Sequence, residues 1–165
     1  MQLQKRKHGF VRGERGQSLV ELAISLPIIL VLLLGTFDFG MAIFSYSMLR
    51  DAAQEGALYG SFNPANKAEI ERRSRNISPQ ANAQANEGLF SSPVELRSTT
   101  LVKVTIQTFG DPCQGVRTNG AANSIRVSVS YGYKLLMPFG NNILASGTIP
   151  LTATATNVIL QPACP

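Results

Sequence analysis

An apolar run from Leu19 to Phe37 carries a single ionisable side chain, Glu21, and no other feature restricts this chain's choices so much. Coiled into a helix it is about 28 Å long, close to the hydrocarbon thickness of a bilayer. A carboxylate at the edge of hydrocarbon is costly to leave alone. Glu21 is therefore a candidate functional residue in need of a cationic partner.

The segment ahead of the run is basic. Lys5, Arg6, Lys7, Arg12 and Arg15 outweigh Glu14, with His8 besides, so residues 1–16 hold a net charge of +4 out of +5 for the whole chain. The remaining 149 residues are nearly neutral, and the high isoelectric point belongs to the leader. That distribution argues for topology rather than for nucleic-acid binding. The positive-inside rule keeps residues 1–16 cytoplasmic and sends the residues beyond the run outward.

Three readings of residues 1–37 compete. One is a secretory signal peptide cleaved at a small-x-small site, for which Gly40-Met41-Ala42 is the best candidate, although it lies late after an unusually long apolar run. Another is an uncleaved signal anchor. The third is a signal cut on the cytoplasmic side, between Gly16 and Gln17, with the apolar segment retained.

Family resemblance bears on the third. Gly16, with Glu21 at the fifth position after it, resembles the prepilin-peptidase site of type IV pilins and pseudopilins. The string Arg15-Gly16-Gln17-Ser18-Leu19-Val20-Glu21-Leu22-Ala23, then Pro27, then Leu34-Gly35-Thr36-Phe37-Asp38-Phe39-Gly40, resembles the TadE/TadG-like pilus-assembly proteins. Leu49-Arg50-Asp51-Ala52-Ala53-Gln54-Glu55-Gly56-Ala57 is similar to the same family. The likeness covers residues 12–60 and thins beyond them.

The resemblance implies cleavage after Gly16, which leaves a new amino group on Gln17 at the membrane edge. Glu21 would neutralise such an amine on its own or a neighbouring subunit, in a low-dielectric setting where pairing counts most. Gln17 and Glu21 lie one helical turn apart on one face. A cut after Gly9 would put Glu14 at the fifth position but outside the apolar run, and a cut after Gly13 would put Ser18 there. Gly16 fits best. Leu22 stands where the main Tad pilin subunits usually carry an aromatic, which favours a pseudopilin or minor pilin over the major subunit. The partners implied are a prepilin peptidase, other pilin-like subunits and inner-membrane platform proteins. No cofactor is implied.

Beyond the run the helical period persists. Phe37, Met41, Phe44, Leu49, Ala53, Gly56 and Gly60 recur at roughly three- to four-residue spacing, with Asp38, Ser45, Arg50, Asp51, Gln54 and Glu55 between them. The pattern predicts one helix from about Gln17 to about Tyr59, on the order of 65 Å long. Its first half lies in lipid and its second lays an apolar stripe, rich in small residues, on a soluble domain. Pro27 is tolerable inside a membrane helix. Asp38 reads as an interfacial residue marking the outer membrane face. Ser61-Phe62-Asn63-Pro64 breaks the helix. Two short surface helices are expected between Ala65 and Glu87, with Arg72, Arg73 and Arg75 on a solvated face.

From Val94 onward the period becomes two. Leu101–Phe109, Ile125–Tyr131 and Ile149–Leu160 alternate apolar and polar residues, and Tyr133–Met137 runs into Pro138. Gly110-Asp111-Pro112, Thr118-Asn119-Gly120 and Gly140-Asn141-Asn142 are turn signals. Three long strands make a small antiparallel sheet that needs cover on one face, and the second half of the long helix is the available lid. The expected fold class is α+β and pilin-like. Its parts are a basic cytoplasmic leader (1–16), a transmembrane helix (17–37), an extracytoplasmic extension of that helix (38–60) and an extracytoplasmic α+β domain (61–165).

Cys113 and Cys164 both fall in the segment placed outside the membrane, and an even count there reads as one disulfide. Two unpaired thiols are the alternative. Without Cys-x-x-Cys spacing a redox-active pair is not indicated.

Little supports an enzyme. The one histidine, His8, lies in the leader, and no nucleophile elbow, phosphate-binding loop or metal-spaced cluster is present in the sequence. Asp111, Glu87 and Glu95 are carboxylates on which no chemistry converges. The expectation is a single-pass protein of the cytoplasmic membrane acting in assembly of an envelope filament or secretion machine. The competing expectation is an uncleaved, membrane-tethered binding domain that does not assemble.

Overall fold

The computed structural model describes residues 14–75, 94–114, 116, 123–135 and 147–164. Helix α1 runs without interruption over Glu14–Phe62, through Pro27, and α2 covers Lys67–Ser74. Strands β1 (Val102–Phe109), β2 (Ser124–Lys134) and β3 (Thr148–Val158) form an antiparallel sheet in the order β1-β2-β3. α1 packs across β2 and β3, and α2 packs on α1. The arrangement is α+β, a long apolar helix with a three-stranded antiparallel sheet laid along its C-terminal half.

Local chemistry sets the element ends. The Asn63 amide closes α1 onto the Tyr59 carbonyl at 3.0 Å, and Pro64 cannot continue the ladder. Asn66 then caps α2, its side-chain oxygen accepting from the Glu69 amide at 3.1 Å. Tyr133 and Lys134 carry β2 on across Gly132, in register with Ile149 and Thr148. Pro150 sits in β3, an edge strand, where a missing backbone donor is tolerated. The second surface helix expected near residues 80–86, the turn signals at 118–120 and 140–142, and Leu136 to Pro138 lie outside the described residues.

The core forms where α1 meets the inward rows of the sheet. Leu49, Ala53 and Ala57 from α1, Ile70 from α2, and Ile125, Val127 and Val129 from β2 are fully buried. Small residues let the two layers close. A Cβ on Gly60 would stand 2.7 Å from the Ile125 Cδ1 atom, and one on Gly56 would overlap the Ser74 hydroxyl.

The stripe that α1 presents to the sheet is not phased as the apolar spacing suggests. Phe37 and Phe44 are 56% and 53% exposed, whereas Asp38 and Ser45 are buried. Stepping by three or four without a break, the covered line runs Asp38, half-buried Ala42, Ser45, Leu49, Ala52, Gly56 and Gly60. The apolar series through Phe37 and Phe44 needs a five-residue step to reach Leu49, which is off the helical period. Ser45 survives burial because its hydroxyl donates to the Met41 carbonyl at 2.8 Å.

Candidate functional site: the exposed helix and its junction with the sheet

Gly16, Gln17 and Glu21 share the first turns of α1, all exposed, with open space around the Gly16 Cα. Above them the large apolar side chains face outward. Leu19, Ile24, Ile28, Leu32 and Leu33 are each more than half exposed, so this half of α1 carries an apolar surface on every side. Such a helix is stable where lipid or other helices replace water. By length and composition α1 can cross a membrane once.

The change from uncovered to covered helix is staggered by face. On the sheet side, cover begins at Asp38. On the opposite side, Phe39, Ile43, Phe44 and Tyr46 remain exposed, extending the apolar surface about 12 Å further along the helix.

At the lower end of the sheet, Asp38 lies under the cover of β2. It is 2% exposed. Tyr133, from β2, donates its hydroxyl to the Asp38 carboxylate oxygen Oδ1 at 3.4 Å and to its backbone carbonyl at 3.3 Å. Burial first, then the Asp38 charge and the hydrogen bond to it, push the Tyr133 hydroxyl above its usual range. A tyrosine one residue beyond a strand glycine carries no local signal of this contact, because its partner is remote in sequence.

Arg75 also departs from expectation. It is 6% exposed, not part of a solvated face. Its Nη1 donates to the carbonyls of Leu96, Ser98 and Val102, each at 3.2 Å, while Nε and Nη2 bind the Glu71 carboxylate. Arg75 therefore ties the end of α2 to the segment that enters β1. Arg72 and Arg73 do lie on the outer side. Arg72 forks onto Glu69 and holds its carboxyl below the usual range, and Arg73 reaches Glu69 at 3.2 Å and Glu55 at 3.6 Å.

Cys113 and Cys164 are bonded, with Cα atoms 4.8 Å apart. The Ala163 amide donates to the Pro112 carbonyl at 2.8 Å beside the bond, so the chain end is pinned to the turn after β1. Asp111 belongs to that turn: its Oδ1 accepts from the Cys113 amide, and its own amide donates to Asn123 Oδ1, both at 2.9 Å. Glu95 is exposed in the segment that precedes β1, and Glu87 lies outside the described residues. A cleft of about 320 Å³ between α1, α2 and Leu96 is lined by Met48, Asp51, Glu55 and Arg73, whose charges partly answer one another. Among the described residues no group of three or more His, Cys, Asp or Glu side chains is placed to hold a metal ion.

The features that define a class are thus an exposed apolar helix and a sheet clamped along its distal half. Residues 16–58 match the family model described as TadE-like protein, the family that the motif around Gly16 and Glu21 resembles. The matched segment is α1 almost in full, so the likeness lies in the helix. Neither the curated proteins nor the solved structures provide a match.

Proposed function

We propose that this chain is a pseudopilin or minor pilin of a Tad-type pilus or secretion machine. The observation that carries the reading is the coincidence of two boundaries. The family match spans 16–58, and the uninterrupted helix α1 covers all of it, bare and apolar in its first half and sheet-covered in its second. In this account residues 1–16 form a cytoplasmic leader and 17–37 cross the membrane. Residues 38–60 carry the helix outward, and 61–165 form the extracytoplasmic domain.

A prepilin peptidase would cut between Gly16 and Gln17, leaving the helix in the membrane. The exposed apolar side chains would then exchange lipid for the helices of other pilin-like subunits, with platform proteins in the inner membrane. Glu21 supplies the charge that answers a Gln17 amine in hydrocarbon. The role is structural: it uses no cofactor and no catalytic residue.

The test separates insertion from assembly. Glu21→Ala removes a charge from the apolar run, so the variant should remain in the membrane fraction but lose co-purification with sibling subunits and reduce piliation. Undiminished co-purification and piliation would remove Glu21 from the assembly mechanism.

A further inference from the structure

The strands bury only one face against the helices, and the other is lined mainly by polar side chains. Two of its transverse rows are Thr105–Ser128–Thr154 and Lys103–Ser130–Thr152, all outward in the paired register. Neighbouring hydroxyls already bond to one another, Ser128 Oγ lying 3.0 Å from Thr154 Oγ1. The strand sequences VKVTIQTF, SIRVSVSYGYK and TIPLTATATNV contain no carboxylate, so every charge on this face is positive.

Those charges are ordered. Arg126, then Lys103 beside Ser130, then Lys134 follow the β2 direction at intervals of about 13–14 Å. Arg126 is also oriented without an anionic partner among the described residues. Its Nε donates to Thr156 Oγ1 at 3.2 Å, and its guanidinium lies 4.7 Å from the centroid of the Phe109 ring. The two Nη groups make no ion pair with a described carboxylate and keep donors for one.

We infer that this outward face binds an anionic polysaccharide. Charge complementarity selects an anion. Short Ser and Thr side chains, each donor and acceptor, suit a polymer whose own surface is hydroxyl, and they leave the backbone rows within its reach. Nucleic acid fits less well: the one outward aromatic in the strands, Phe109, is occupied by Arg126 rather than open for base stacking. A bilayer fits less well too. β2 runs alongside α1, with Ile125 at Gly60 and Tyr133 at Asp38, so on the membrane-spanning reading of α1 the face stands upright and a lipid plane meets only its end.

Affinity electrophoresis of the detergent-solubilised full chain tests this, using gels that contain polygalacturonate, neutral dextran or duplex DNA. The basic leader is common to every variant, so each effect is read as the difference between variants. Polygalacturonate should retard the protein and dextran should not. Arg126→Glu and Lys103→Glu should each weaken retention roughly tenfold, the worth of one lost charge-assisted hydrogen bond. Lys67→Glu, with the same charge change on α2, should leave it unaltered. DNA retention should be indifferent to Arg126→Glu. No retardation by polygalacturonate, equal retardation by dextran, an equal loss with Lys67→Glu, or an Arg126→Glu loss as large for DNA as for the glycan would each overturn the inference. Binding is read on the purified chain whether or not residues 1–16 have been removed, so this result and the result for leader processing can fail separately.

Discussion

The Tyr133 hydroxyl meets Asp38 across 95 residues of sequence, and this contact fixes where the sheet begins along the helix. Below it α1 is uncovered on all sides. Above it one side is core. Both partners are almost fully buried, so the pair holds the lower end of β2 to the point where the helix leaves its exposed apolar half.

Tyr133→Phe keeps the ring and removes the donor. It should cost about 1–3 kcal/mol at neutral pH, because the buried Asp38 oxygens lose a partner. The same substitution should change the alkaline limb. Since the folded state raises the Tyr133 value above its unfolded one near pH 10, the stabilisation is complete below that pH and is lost as pH rises through the raised value. Thermal unfolding in detergent between neutral pH and strong alkali should show a shallower alkaline fall for the variant. An identical fall would leave Tyr133 without that role.

Arg75→Met should destabilise the sheet by about 2–4 kcal/mol, since three carbonyls lose their donor and Glu71 loses its cation. Arg75→Lys should recover only part of this, because an ammonium cannot reproduce the fork. Denaturant unfolding of the two variants would show the order. Full stability of the methionine form would contradict the tie between α2 and β1.

Gly56→Ala places a methyl against the Ser74 hydroxyl, which is buried and donates to the Ile70 carbonyl at 3.0 Å. Overpacking should cost roughly 1–3 kcal/mol, partly offset by the better helix propensity of alanine. Pairing it with Ser74→Ala should cost less than the sum of the two single changes. Strict additivity in a double-mutant cycle would mean that the two positions do not meet.

Cys113→Ser frees a chain end whose last strand is rich in threonine and alanine. With a sequence separation of 51 between the bonded positions, the entropic model assigns the bond about 4 kcal/mol. The variant should be trimmed faster by carboxypeptidase while its membrane insertion is unchanged. Equal trimming rates would show that the hydrogen bonds from Leu160 and Gln161 to the Ser61 carbonyl suffice to hold the end.

The long helix, its stop at Asn63-Pro64 and the three strands are legible in the sequence because each rests on a local period or a backbone rule. An apolar run of this length, an Asn-Pro pair and strict alternation carry their meaning within a few residues. The phase of the helix is less legible. Hydropathy pulls Phe37 and Phe44 inward, yet the covered face passes through Asp38 and Ser45, made tolerable by a distant tyrosine and a carbonyl one turn back. Arg75 escapes a reading of charge pattern for the same reason. Beyond Glu71, its partners are three backbone carbonyls 21 to 27 residues away, which no charge pattern reveals. Gly16, Gln17 and Glu21 stand out by spacing and resemblance, and the folded chain adds only that they occupy one exposed end of α1.

The fate of that end decides whether the chain is processed as a pilin. The direct measurement is the N-terminal residue of the protein isolated from membranes of cells that hold the cognate prepilin peptidase, read by intact mass and N-terminal sequencing. The account predicts a chain beginning at Gln17 with α1 retained, and an unprocessed, heavier chain when Gly16→Leu is introduced. A chain that still begins at Met1 in the presence of the peptidase, or a Gly16→Leu variant that matures to Gln17, would contradict it.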